Sequence, residues 1–236
     1  TTVDGKYWQI GKRSARSVTE FQVTGRGGVT SDADAVVLNV TVTDPSAPGY
    51  LTVFPCGANL PNSSNLNYTT GQTVGNSVVA KVGAGGKICI YTHSATQLII
   101  DTNGYFPTGS KFVGLTPSRT LESRQGQPTT VDGKYWQIGK RSARSVTEFQ
   151  VTGRGGVTSD ADAVVLNVTV TDPSAPGYLT VFPCGANLPN SSNLNYTTGQ
   201  TVGNSVVAKV GAGGKICIYT HSATQLIIDT NGYFPT

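Results

Sequence analysis

The sequence predicts an all-β protein made of two tandem antiparallel β-sandwich modules, or barrel-like ones, with few or no helices. Three observations predict it. Residues 1–108 and 129–236 are identical, position for position, at an offset of 128. Each copy holds seven short runs rich in β-branched and aromatic residues, separated by turns rich in Gly, Pro and Asn. No stretch sustains the 3.6-residue period of an amphipathic helix. Composition agrees: charged residues are only 13%, with 29 glycines, 12 prolines and no methionine.

The organisation follows from the repeat. Copy 1 is 1–108, a connector is 109–128, and copy 2 is 129–236. A copy is long enough to bury one small core of its own. The connector carries a net +2 and each copy a net +1, which together give the chain's +4. So small and even a charge, with no Lys/Arg run longer than Lys12-Arg13, excludes a nucleic-acid footprint. No apolar run approaches the roughly 20 residues of a membrane helix, so no membrane insertion is expected of this segment.

Along a copy, residues 1–14 are polar, with a turn signal at Asp4-Gly5. Lys12, Arg13 and Arg16 form a basic cluster, expected to be a solvated loop and not an anion site. Trp8 is expected to cap the core, with sugar stacking as its alternative role. Residues 17–23 form a strand that ends at a Gly-rich turn, 25–28. Asp32 and Asp34 lie close enough to suggest calcium, but a calcium loop needs more oxygen ligands in a fixed order.

The clearest strand is 35–43, with Val36, Leu38, Val40 and Val42 on one face and Val37, Asn39, Thr41 and Thr43 on the other. Residues 50–54 are expected to return as its hairpin partner after the Pro/Gly turn 44–49. Further strands are predicted at 65–68, 76–82, 87–92 and 97–101, with 103–107 closing the module. Asp101, after Leu98-Ile99-Ile100, is expected to hold a turn at the end of that last strand.

Each copy has two cysteines. An even count in a low-charge module of secreted type predicts one disulfide in each, Cys56–Cys89 and Cys184–Cys217; the other reading is buried free thiols. Zinc is disfavoured, because no C-x-x-C spacing occurs and each copy has a single His.

The connector is too apolar for a free linker. Phe112, Val113, Leu115 and Leu121 are predicted inter-module contacts, on extended segments at 111–115 and 119–123 that pack onto a module. The first copy has no such segment before it, and its sheet edge is expected to be open.

The module resembles a repeat of secreted and cell-surface proteins of actinobacteria and related bacteria. The residues that carry the resemblance are Pro117-Ser118-Arg119, 23–29, 39–43, 49–55, 64–67 and 101–106, which together span nearly a whole repeat. The family's Leu-Leu-Asp-Thr-Arg is here Thr120-Leu121-Glu122-Ser123-Arg124. The family pattern places this segment ahead of a module, which assigns the connector to the second copy. The resemblance implies an extracellular or cell-surface location and brings no catalytic residue set.

No enzyme is expected: His93 has no free thiol if the cysteines are paired, and four of the six carboxylates of a copy sit in turn-like sequence. No catalytic, cofactor-binding or metal residue is predicted, and no cofactor. Identical copies favour a function that scales with repeat number. The expected function is a structural repeat of an extracellular rod, stalk or filament whose partners are neighbouring identical repeats. The alternative is a multivalent carbohydrate-binding or adhesive module with a cell-surface glycan as partner.

Overall fold

The computed structural model describes Thr2 and residues 4–236. The chain divides into two compact units, Thr1–Ser110 and Lys111–Thr236. Strands of the first are β1 (Ser17–Gln22), β2 (Ala33–Thr43), β3 (Gly49–Pro55), β4 (Leu66–Tyr68), β5 (Val74–Lys81), β6 (Lys87–Thr92) and β7 (Gln97–Pro107). The second begins with β8 (Val113–Glu122) and continues with β9 (Ser145–Gln150), β10 (Ala161–Thr171), β11 (Gly177–Pro183), β12 (Leu194–Tyr196), β13 (Val202–Lys209), β14 (Lys215–Thr220) and β15 (Gln225–Pro235). All strand pairings between them are antiparallel.

Each unit is a sandwich. In the first, the sheets run β1-β6-β3-β4 and β5-β2-β7; in the second, β9-β14-β11-β12 and β13-β10-β15-β8. The period-two pattern of β2 decides which face goes inward. Val36, Leu38, Val40 and Val42 are fully buried, facing Phe21, Leu51, Val53, Ile88 and Ile90 of the opposite sheet. Each such side chain withdrawn from water contributes about 1.5–3 kcal/mol before the entropy of ordering is counted.

The cysteines are joined within each unit, Cys56 to Cys89 and Cys184 to Cys217, with Cα–Cα distances of 5.0 and 4.9 Å. Each bond ties the residue that follows β3, or β11, to the neighbouring strand β6, or β14. It closes a loop of sequence separation 33, which constrains the unfolded chain by about 3–4 kcal/mol in the loop-entropy account.

Four expectations are corrected. Residues 50–54 are not the hairpin partner of 35–43: β3 lies in the other sheet, between β6 and β4, and β2 pairs with β5 and β7. The Pro/Gly turn 44–49 thus carries the chain across the sandwich. The last strand does not stop at Asp101 but runs on through Gly104 to Pro107, so Asp101 is mid-strand and holds no turn. Residues 111–115 and 119–123 are not two segments: one strand, β8, runs from Val113 to Glu122 and joins them, with two irregularities in its register against β15. Pro117 falls at the second of these, on the edge of the sheet, where a missing N–H costs no ladder bond. Trp8 does not cap the core: it is 50% exposed, and its counterpart Trp136 is 40% exposed. Tyr7 packs inward in its place, 5.2 Å from the Phe21 ring, with Arg26 over its face.

Candidate functional site: an arm and its groove

The two units have the same sequence over 108 residues and the same strand registers, offset by 128. One sheet nevertheless has four strands and the other three. The fourth strand is β8, supplied by the connector and paired along β15 from Ile227↔Glu122 to Tyr233↔Val113. The structure thus places Phe112, Val113, Leu115 and Leu121 all on the second unit. Leu121 is fully buried in its core, with Val113 and Leu115 packed against that core. Phe112 is buried 5.1 Å from the Phe234 ring.

A glycine on β15 makes room for this strand. A Cβ at Gly232 would stand 2.4 Å from Phe112 and 2.7 Å from the Val113 carbonyl oxygen. At Gly104, its counterpart, a Cβ would meet nothing within 4 Å. Glycine in a strand interior marks close approach of another group, and here that group is the arm.

Backbone bonds hold β8 on its other flank too. Val131 N–H donates to the Arg119 carbonyl at 2.8 Å, Gln137 to Glu122 at 2.7 Å and Gly139 to Ser123 at 2.9 Å. The Ser123 hydroxyl donates to Gln225 Oε1 at 2.6 Å and accepts from Leu226 N–H at 2.8 Å.

Charge locks the middle of the arm. Arg119 donates from Nε to Asp229 Oδ1 at 2.8 Å, from Nη2 to Asp229 Oδ2 at 3.3 Å and from Nη1 to Glu122 Oε2 at 2.9 Å. Arg124 donates to both oxygens of Glu122, at 2.8 Å each. Two cations therefore meet two carboxylates, and the buried cluster is neutral. Burial works against the Arg119 charge, but Asp229 and Glu122 outweigh it and raise its pKa further. Burial also pushes the Glu122 carboxyl up; Arg124 and Arg119 overcome this and hold it below its usual range. Arg154 completes the grip, donating from Nη2 to the Thr120 carbonyl and from Nε to Asp132, each at 2.7 Å.

The first unit carries the same seat as a groove of about 570 Å³. Leu98, Ile100 and Asp101 of β7 line one side, Tyr7 to Gly11 the other, and Phe21 and Val23 the floor. Arg26 is held as Arg154 is, with Nε and Nη2 both 2.6 Å from Asp4. The flanking loop has the same unusual backbone in both units, with φ of 55° and 51° at Tyr7 and Gln9 against 51° and 53° at Tyr135 and Gln137. Asp101 is exposed, whereas Asp229 is fully buried.

The other candidate residues do not converge on chemistry. Lys12 pairs with Asp44, and Arg13 donates to the carbonyls of Ile10 and Gly11, so the basic cluster is largely engaged. Asp32 accepts from the Thr30 hydroxyl and Asp34 pairs with Lys81. No group of three or more His, Cys, Asp or Glu side chains gathers among the described residues. His93 stacks on Tyr50 at 5.0 Å, with Tyr91 5.9 Å from Tyr50, and the arrangement recurs at Tyr178, Tyr219 and His221. Among the described residues no helix is long and apolar enough to cross a membrane.

Sequence reasoning singled out the arm's apolar residues but missed its charged ones, Arg119, Glu122 and Asp229. Two signals point to them: a Glu flanked by two Arg within an arm that packs, and the Gly of Asn-Gly-Tyr-Phe inside a strand.

No protein-family model matches the chain, and no curated protein matches it. Among solved structures it is similar to the N-terminal CBM22-1-CBM22-2 tandem domain of a Paenibacillus barcinonensis protein, at 12% identity and a TM-score of 0.23, over 96% of this chain and 93% of that one. A likeness that low transfers no ligand and no activity.

Proposed function

We propose that this chain is a segment of an extracellular rod, stalk or filament built from identical modules in tandem, each completed by the arm that leads into it. The observation that carries the reading is the seating of β8. The connector is spent on the second unit's sheet, which leaves residues 108–112 between β7 and β8. A joint this short, repeated between identical units, favours a regular array unless it closes into a ring. Identical copies suit a role in which length is the output. The two disulfides and the resemblance to secreted repeats support an extracellular or cell-surface setting. In this reading the chain has no catalytic activity and no cofactor.

The test is small-angle scattering of the two-module chain beside electron microscopy of the native protein. A rigid profile and uniform rods are expected. A flexible profile with separate globules would refute the rod.

A second reading, multivalent glycan binding, draws on the Tyr50, Tyr91 and His93 cluster repeated in each copy. Aromatic faces stack on sugar rings as they do on other apolar surfaces. Tyr50→Ala with Tyr178→Ala would abolish glycan binding in this reading and leave the scattering profile unchanged.

A further inference from the structure

We infer that the groove of the first unit is a strand-acceptor site: it takes an extended segment of the connector sequence, supplied by a preceding repeat, and reads its arginine through Asp101. The inference rests on a comparison internal to the molecule. Two chain segments of identical sequence fold alike, and one of them holds such a segment. Several of the protein groups that grip it in the second unit have their twins lining the first unit's groove. Asp101 stands for Asp229, Arg26 for Arg154, Leu98 for Leu226, and Gln9 and Gly11 for Gln137 and Gly139.

Three features make the groove a built site and not merely an open edge. Its flanking loop already has the backbone conformation of the filled site, including left-handed Tyr7 and Gln9, so little reorganisation is needed on binding. Arg26 is already fixed by Asp4, with its guanidinium side chain 16% exposed against 2% for Arg154. Gly104 leaves clear the space that the aromatic ring of the arm fills at Gly232. The recognition mode is strand addition to a sheet edge, where main-chain bonds give affinity and side-chain pockets give selectivity. Selectivity here comes from an Arg–carboxylate fork and from pockets for a Phe and a Leu.

The probe is a synthetic peptide with the sequence of residues 111–128, titrated into the full chain by calorimetry and followed by the melting of the first unit. One peptide per chain and a raised first transition are expected. Asp101→Asn in the chain, or Arg119→Met in the peptide, should weaken binding at least tenfold. Gly104→Val should do the same by blocking the aromatic ring; its Cβ meets no neighbour in the first unit, and the first unit's melting in the absence of peptide checks that the variant folds. Absence of saturable binding near millimolar peptide would overturn the inference. So would unchanged affinity for both chain variants. Self-association of the chain lost on Gly104→Val, without peptide binding, would also overturn it, assigning the edge to a second copy. Peptide binding and rod rigidity are separate readouts, so either proposal can fail alone.

Discussion

Arg119 and Asp229 meet in a two-point ion pair across 110 residues of chain, with Nε–Oδ1 at 2.8 Å and Nη2–Oδ2 at 3.3 Å. Both are buried, and Glu122 beside them brings the second carboxylate. Asp101, the same residue of the first copy, is exposed. One position thus has two environments within a single chain.

Asp229→Asn and Asp101→Asn should therefore differ sharply. The first leaves Arg119 short of a carboxylate in a buried cluster and is expected to destabilise the second unit by about 3–5 kcal/mol. The second should cost under about 0.5 kcal/mol, the usual range at an exposed site. Each unit has one tryptophan, so Trp8→Phe leaves Trp136 to report on the second unit and Trp136→Phe the converse. Denaturant midpoints followed by fluorescence give the two costs separately. Equal costs would mean that the ion pair does not hold the arm.

A copy of residues 109–128 placed ahead of Thr1 should raise the stability of the first unit. Leu121 buried against Leu98 and Ile100 contributes about 1.5–3 kcal/mol by itself. A net gain of 2 kcal/mol shifts the midpoint of a domain this size by roughly 10 °C. Calorimetry of the extended chain beside the original checks this, and an unchanged first transition would contradict it.

How much of this was legible in the sequence depends on range. Val36 to Val42 announce their strand because alternation is local. The cysteine pairing was legible because each copy offers a single partner. That β3 crosses to the other sheet was not legible, since the Pro/Gly turn 44–49 suits a hairpin equally well. Trp8 stays exposed because size predicts burial only on average; its neighbour Tyr7 takes the inward place, against Phe21, with a hydroxyl that accepts from Gln22 N–H at 3.0 Å. The arm's apolar residues stood out against a linker composition. Its ion cluster did not, because Asp229 and Arg119 are brought together only by the register of β8 on β15.

Acid should loosen the second unit through Glu122. Its carboxyl is held below the ordinary value of 4.5 because the arginines outweigh the effect of burial. A depressed folded pKa gives stability that is full above the unfolded value and is lost as pH falls through the folded one. Asp4 and Asp132 are likewise lowered, chiefly by their arginine hydrogen bonds, and act the same way in both units. Glu122 acts in the second unit alone. The gap between the two melting transitions should thus hold from pH 7 to about 5 and narrow below about 4. A gap that widens on acidification would reverse the sign of the argument.

The sharpest test is one substitution made at two twin positions. Gly232→Ala adds a Cβ 2.4 Å from Phe112 and 2.7 Å from the Val113 carbonyl oxygen. Neither contact is tolerable, so the arm must shift, at about 1–3 kcal/mol for an overpacked site. Phe112→Ala in the same chain removes the nearer clash and should recover part of the loss, although Phe112→Ala alone is destabilising because a buried ring is removed. That reversal of sign between backgrounds marks a direct contact. At Gly104 the backbone is outside the left-handed region and the added Cβ meets nothing. Gly104→Ala should then stabilise the first unit by about 0.4–1 kcal/mol, through the entropy of the unfolded chain. Opposite signs at Gly104 and Gly232, read by the two tryptophan reporters, are expected; the same sign at both would show that the glycine serves the strand itself and not the seat of the arm.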